Sequence, residues 1–528
     1  MTTYPLAVAL AAAARPATYP LAVALAAAAR PATAALALVL LASGAPALAT
    51  PPPGGNLVVQ VATEPPGLDL TSNPSSAIAA VVFYNVQEAL VKVDKTGNLV
   101  PWLAERWYTT DSKNYTFFLK RGVHFHNGRE MKAADVKFAL DRAVNPETKH
   151  PYRVQYEAIQ DVIIKDDYAI TVALKRVDAN FLWTVARQGS VIYPREAVDA
   201  LKTQPLGTGP FVVAEWLRGD RIVLTKNKDY HVKGLPYLDR VTYRFIPDPN
   251  SALAALKAGD IDASMFGLGP ENVADLQKDG RFQVVLGDTT NDVTLSMNNG
   301  KKPYSDKRVR LAITHAINKE EVLKGAMFGH GKILGSNVDP LNPYFVDVSK
   351  RVPYDPAKAK KLLVEAGYPN GFDAVFKVAP QYYYTVRSAE VIVNQLAKVG
   401  IRAKIQQVEW GQWLSQVFCL KPCENPDYDM SIIGHAEAWD IGNFANPKYY
   451  FRWDNAEFQK LFAESQVTVD DKKRRELYVK MQMMLADEAP AVWLYMHPRL
   501  AATKKGVAGI WKDLPLPAFD LSEVAWQK

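Results

Sequence analysis

The segment YDPAKAKKLLVEAGY, Tyr354 to Tyr368, carries its own start and stop signals. Asp355 can accept from the free N–H groups of a first helical turn, and Pro356 suits that turn because its missing N–H is not needed there. Gly367 supplies the residue that ends a helix. Strand and helix patterns alternate around it from Asn299 to about Glu488: DKRVRLAITHAI and SAEVIVNQLAKVG read as helices, IRAKIQQVEW and YDMSIIGH as strands on either side of a helical GQWLSQVF. This alternation predicts an α/β fold.

Upstream, NLVVQVA and YTFFLKRGVHF alternate as strands, and Ala133 to Val144 places Val136, Leu140 and Ala143 on one helical face. DVIIKDDYAITVAL reads as a hairpin turning at Asp166-Asp167. At GTGPF, Gly207 to Phe211, a new set of strands begins: FVVAEW, RIVLTKN and RVTYRFI, followed by the helix SALAALKAG, stopped by Gly259, and the strand DIDASM. Strands that resume after a helical stretch predict that the chain crosses between lobes here. A charged helix, DDKKRRELYVKMQMMLADEA, and a last strand, PAVWLYMHPRLAAT, complete the pattern.

The first 49 residues differ in kind. They hold Arg15 and Arg30, no acidic residue, and an apolar run from Ala34 to Ala42 before APALAT, and TYPLAVALAAAARPA occurs twice in tandem. A basic start, a short apolar core and Ala47-x-Ala49 read as a secretory signal cleaved after Ala49, too short to span a membrane and without a cysteine nearby to take a lipid. The tandem copy reads as a local duplication in this leader. Periplasmic export is therefore expected.

Removing 49 of 528 residues leaves 479, and losing two arginines lowers the formal charge from +7 to +5. With 48% hydrophobic content such a chain can bury a large core, in about three domains. So mild a charge, spread along the chain, argues against nucleic acid as a partner. Cys419 and Cys423 are the only cysteines, and their spacing is not Cys-x-x-Cys; an exported chain allows a structural disulfide here or two idle thiols.

The stretch SIIGHAEAWDIGNF, Ser431 to Phe444, concentrates candidate chemistry at the expected end of a strand. His435 and Glu437, two apart, could share a strand face as metal ligands, but no third ligand is close in sequence. Glu437 and Asp440 could pair as the two carboxyl groups of a glycoside hydrolase. All three could also be simply solvated. Trp439 within the stretch, with Trp410 and Trp413 nearby, suits a fourth reading, a pocket that buries an organic ligand. There is no Gly-x-Ser-x-Gly elbow, His-Glu-x-x-His helix or phosphate loop, and no cofactor is expected.

Several segments, in order, resemble those of one family: FYNVQEALVKVDKTGNLVPWLAERW, YTFFLKRGVHFHNGREMKAADVKFALDRAVNP, GTGPFVVAEW, NKDYHVKGLPYLDRVTYRFIPD, LKAGDIDA, DKRVRLAITHAINKEEV and YDPAKAKKLLVEAGY. The chain from about Leu57 onward is similar to the extracytoplasmic solute-binding proteins of ABC transporters, of the peptide/nickel-binding type. The resemblance implies an α/β periplasmic-binding-protein fold of the type II class: two lobes joined by a hinge and closing over a ligand, with a third domain. Domain I would comprise residues 50–74, 207–298 and 489–528, domain II 75–206 and domain III 299–488.

It also implies a monomer that is not an enzyme, and that gives a short peptide or related amine-containing solute to an inner-membrane permease. Opines, oligosaccharides and metal chelates are alternatives on the same fold, and a secreted hydrolase using Glu437 and Asp440 is the alternative from another class. By resemblance, Asn73, Ser75 and Ser76 lie in a loop whose backbone meets the ligand, Tyr152 is a cleft tyrosine, and Trp410 lines the pocket. The stretch with His435, Glu437, Trp439 and Asp440 would be the ligand anchor. Here the chain departs from the peptide binders' pattern: Ala438 stands where their ammonium-binding aspartate would be, flanked by Glu437 and Asp440, while Ile432 and Pro74 stand where an arginine and a further acidic residue are found.

Overall fold

The computed structural model describes residues 54–419, 426–436 and 439–527. The leader, Glu437, Ala438 and Cys423 lie outside the described residues, while Cys419 is disulfide-bonded.

The helix and strand signals reappear as structure. The helix Pro356–Glu365 is capped by Asp355, whose carboxylate accepts from Lys358 N at 2.9 Å, and Gly367 follows at φ +92°. Ala133–Val144 is a helix with Val136, Leu140 and Ala143 buried. Ile159–Asp166 and Ala169–Leu174 pair antiparallel, and Asp166 accepts from Tyr168 N across the turn.

These elements assemble on three main sheets. The first has seven strands in the order Phe282–Gly287, Arg499–Lys504, Ala263–Phe266, Asn56–Val61, Arg240–Phe245, Arg221–Lys226 and Phe211–Leu217. Its central strand, Asn56–Val61, runs parallel to both neighbours. A four-stranded sheet holds Ala104–Tyr108, Asn114–Leu119, Ala169–Leu174 and Ile159–Asp166. The third has six strands: Lys332–Ile333, Ala491–Met496, Asp292–Met297, Met430–His435, Phe372–Val378 and Ile401–Gln407.

Two of those six were expected with the first sheet. Residues 292–297 and 491–496 fall within the domain I boundaries read from the sequence, yet both pair inside the six-stranded sheet. The stretch PAVWLYMHPRLAAT is two strands, not one. It breaks at His497-Pro498, where proline has no N–H for a ladder, and the chain passes from the six-stranded to the seven-stranded sheet. The other crossing, residues 288–291, lies beside it: Thr289 Oγ1 donates to His497 O at 2.6 Å and His497 N to Asn291 O at 2.8 Å.

The GTGPF motif owes its glycines to a close approach. A Cβ on Gly207 would lie 2.1 Å from Val86 O, and one on Gly209 2.7 Å from Asn85 O. This brings the segment carrying Glu88 against the first sheet. Glu88 is fully buried and accepts from Thr208 Oγ1 at 2.7 Å, Tyr230 OH at 2.9 Å and His231 Nε2 at 2.9 Å. Burial alone would raise its pKa, but the His231 charge and these hydrogen bonds outweigh it and hold the carboxyl below its ordinary value.

A second buried charge ties the segment Asp178–Trp183 to the helices Ala456–Val467 and Asp471–Glu488. Arg474 donates to Ala179 O at 2.9 Å and to Asn180 Oδ1, while Ala179 N and Asn180 Nδ2 reach Gln466 O and Oε1, each at 2.8 Å. The guanidinium sits among the rings of Tyr344, Trp439 and Tyr478, 5.3 to 5.7 Å from their centroids.

Two outcomes follow for stability. His231→Ala removes one of the three side-chain donors to buried Glu88, and urea unfolding at neutral pH should show a loss of about 1.5–3 kcal/mol. Because the folded Glu88 pKa is depressed, its contribution is present above the unfolded carboxyl value of about 4.3 and disappears as pH falls through the lower folded value. An Arg474→Ala/Asn180→Ala double-mutant cycle should give a coupling of about 1.5–3 kcal/mol, the range of a hydrogen bond to a charged group. Additive effects would show that this contact contributes nothing.

Candidate functional site

The strand Met430–His435 presents buried Ser431, Ile432 and Ile433 to the six-stranded sheet and delivers His435 to its end. There His435 pairs in register with Asp292 of the neighbouring strand. Its Nε2 meets Tyr450 OH at 3.0 Å, and its ring lies over Tyr450 and beside Phe451. Burial lowers the His435 pKa to about 4, so the imidazole is neutral at physiological pH. Its 3.9 Å approach to Asp292 Oδ2 is therefore not an ion pair at that pH.

Around this strand end gather three aspartates. Asp292 is fully buried and accepts from Thr294 Oγ1 at 2.6 Å. Burial, then the negative charges of Asp440 and Asp339, push its carboxyl well above the usual range, against the Thr294 hydrogen bond. Asp339 is 4% exposed, and burial raises it to about 7 despite N–H donors from its own turn, including Leu341 N at 2.8 Å. Asp440 accepts from Asn337 Nδ2 at 2.5 Å, which ties the loop before Asp339 to the strand end. No lysine or arginine among the described residues forms an ion pair with Asp292 or Asp339.

Trp439 forms the aromatic wall. It is a non-glycine residue at φ +71°, and its indole packs on Trp183 at 5.0 Å, Tyr344 at 5.5 Å and Tyr478 at 5.9 Å. Trp183, Thr290, Asp339, Asn342, Trp439 and Pro515 line a small cavity open to solvent. An apolar wall with one buried carboxylate, that of Asp339, suits an organic cation better than an anion. Among the described residues, no group of three or more His, Cys, Asp or Glu side chains is arranged to hold a metal ion.

The other expected site residues form separate groups. Asn73 Oδ1 accepts from Ser75 N at 2.9 Å, and Ser76 opens the helix Ser76–Val82. Tyr152 OH reaches Pro74 O at 3.4 Å and accepts from Gln188 Nε2 at 2.9 Å, so the tyrosine and the Asn73–Ser76 loop are brought together. Trp410 stacks on Trp413 with centroids 4.9 Å apart and meets Tyr382 edge-on. Trp413 in turn donates to Ser431 Oγ at 2.9 Å, backing the strand. Neither Tyr152 nor Trp410 lines the Trp439 cavity. Sequence reasoning passed over Asp292, Asp339, Asn337 and Trp183. The Asp339 signal lay in NVDPLNP, which reads as a turn.

Comparison with known proteins places this geometry. Residues 98–457 match the family model described as bacterial extracellular solute-binding proteins, family 5 Middle. The oligopeptide-binding protein AppA of Bacillus subtilis is 30% identical, covering 87% of this chain and 89% of its own. The periplasmic binding protein DppA of Helicobacter pylori, solved with the peptide STSA, superposes with a TM-score of 0.79 at 26% identity, over 90% of this chain and 99% of that one. The AgaA protein of A. tumefaciens R10, solved with agropinic acid, gives 0.77 at 27% identity, with the same coverage. The chain belongs to the bacterial extracellular solute-binding proteins of family 5, the ligand-capturing components of ABC importers.

Proposed function

We propose that this protein captures a small amine-bearing solute, a short peptide or a close relative of one, and passes it unchanged to an inner-membrane permease. It works in the periplasm as a monomer after loss of the leader. One observation carries the ligand class: the aromatic cavity at the strand end is lined by the carboxylate of Asp339, which no lysine or arginine among the described residues neutralises. A bound ammonium would supply the missing positive charge, with Asp440 and Glu437 the candidate anchors. Micromolar capture needs about 8 kcal/mol, within reach of a buried apolar wall plus one charged contact. The likeness to a protein solved with agropinic acid favours an opine as a second reading.

Mass spectrometry of whatever co-purifies separates the two, since a peptide and an opine differ in mass and fragmentation. A true ligand at about 100 times its Kd should add about 2.7 kcal/mol to stability, visible as a thermal shift. Asp440→Asn should weaken binding by about 2 kcal/mol, or roughly 30-fold, in titration calorimetry. If both Asp440→Asn and Glu437→Gln bind as tightly as wild type, the anchor is elsewhere.

A further inference from the structure

We infer that Asp339, with the Asn337 amide beside it, is a specificity determinant that selects solutes carrying a second cationic nitrogen group rich in N–H donors. This rests on the solute-capture reading and deepens it.

The geometry of the loop Asn337–Asn342 supports this assignment. Asn337 is 5% exposed, and its Nδ2 is committed to Asp440 Oδ1. Its Oδ1 is buried and has no hydrogen-bond partner. Two residues on, Asp339 faces the cavity alongside Trp183, Thr290 and Trp439. Its carboxylate accepts from Leu341 N at 2.8 Å, with the N–H groups of Asp339 and Asn342 adding to it, and an asparagine oxygen would keep the Leu341 contact. No side chain among the described residues donates to the Asp339 carboxylate, and no lysine or arginine pairs with it.

A nearly buried carboxylate in that position is costly unless something positive arrives. The nearby amide oxygen without a donor is costly on the same terms. A cation with several N–H donors supplies what Asp339 lacks. A primary ammonium offers three and a guanidinium five. A neutral or anionic group would leave Asp339 uncompensated.

The charge state of Asp339 gives a further handle. The titratable groups that act on it or feel its charge are Asp288 and Asp292, both carboxylates. With its carboxyl raised to about 7, Asp339 is partly protonated at neutral pH, and a bound cation must expel that proton.

The test is calorimetry with the dipeptides Leu-Leu, Lys-Leu and Arg-Leu on wild type and D339N. Wild type should bind the better of the two cationic dipeptides about tenfold more tightly than Leu-Leu. Its identity tells an ammonium site from a guanidinium site. In D339N that ratio should fall to about one, with melting curves confirming a folded protein. Binding of the preferred dipeptide to wild type should release protons, read as a dependence of the heat on buffer ionisation, and tighten from about pH 6 to about pH 8. If D339N does not fold, N337A is read for the same ratio and should lower it.

Equal binding of all three dipeptides by wild type overturns the inference while leaving solute capture standing. So does a D339N or N337A ratio that stays at the wild-type value. No binding of any of the three, with a neutral or anionic compound co-purifying, overturns the inference and the amine-bearing ligand class together.

Discussion

Two short crossings, residues 288–291 and 497–498, carry the chain between its two large sheets, and they are hydrogen-bonded to each other through Thr289, Asn291 and His497. Everything distinctive about the candidate site is arranged around them. Asp288, Thr290 and Asp292 belong to one crossing and the strand it feeds. The strand Met430–His435 pairs with that same strand and brings His435 and Asp440 to its end. Two adjacent crossings make a junction that can bend without breaking either sheet, because each ladder closes within its own layer. A solute held at the junction touches both sides of whatever bends.

The junction is also where the protein gathers like charges. Asp292 feels the charges of Asp440 and Asp339, Asp339 feels that of Asp288, and burial raises both Asp292 and Asp339. Folding alone does not reward such an arrangement, since like charges in a poorly hydrated site repel and each loses its water. Glu88 shows how the same chain treats a carboxylate that serves the fold: three side-chain donors surround it, and its pKa falls rather than rises. The contrast between Glu88 and Asp339 is the clearest internal evidence that the second is kept for something outside the chain.

Much of the fold was legible in local pattern. Asp355 and Gly367 bracket a helix in the sequence and in the structure, and the strand patterns YDMSIIGH and NLVVQVA recur with their buried residues alternating or continuous according to the sheet they enter. Sheet membership was not legible, because alternation identifies a strand but not its partner; the strands 292–297 and 491–496 went to the second sheet for that reason. Pro498 carried the signal for the break in its absent N–H, but PAVWLYMHPRLAAT reads as one strand by alternation alone. At the site, Trp439 and Asp440 were visible because they sit within one short run. Asp339 was not, because it lies about a hundred residues from Asp440 and its own neighbours explain it fully as a turn.

The contact through Arg474 sets a scale for how strongly the protein can close by itself. It links Asp178–Trp183 to the two helices with a few hydrogen bonds, of which those to the guanidinium contribute about 1.5–3 kcal/mol. Driving a two-state equilibrium from one extreme to the other takes about 5.5 kcal/mol. Micromolar capture supplies about 8 kcal/mol. In the solute-capture reading the protein's own contact is thus too weak to hold the cleft shut, and strong enough to add to what the solute provides. The aromatic wall belongs to both, since Trp439 packs against Arg474 on one side and lines the cavity on the other. In the solute-capture reading, a ligand in the cavity would press on the same indole that packs against Arg474.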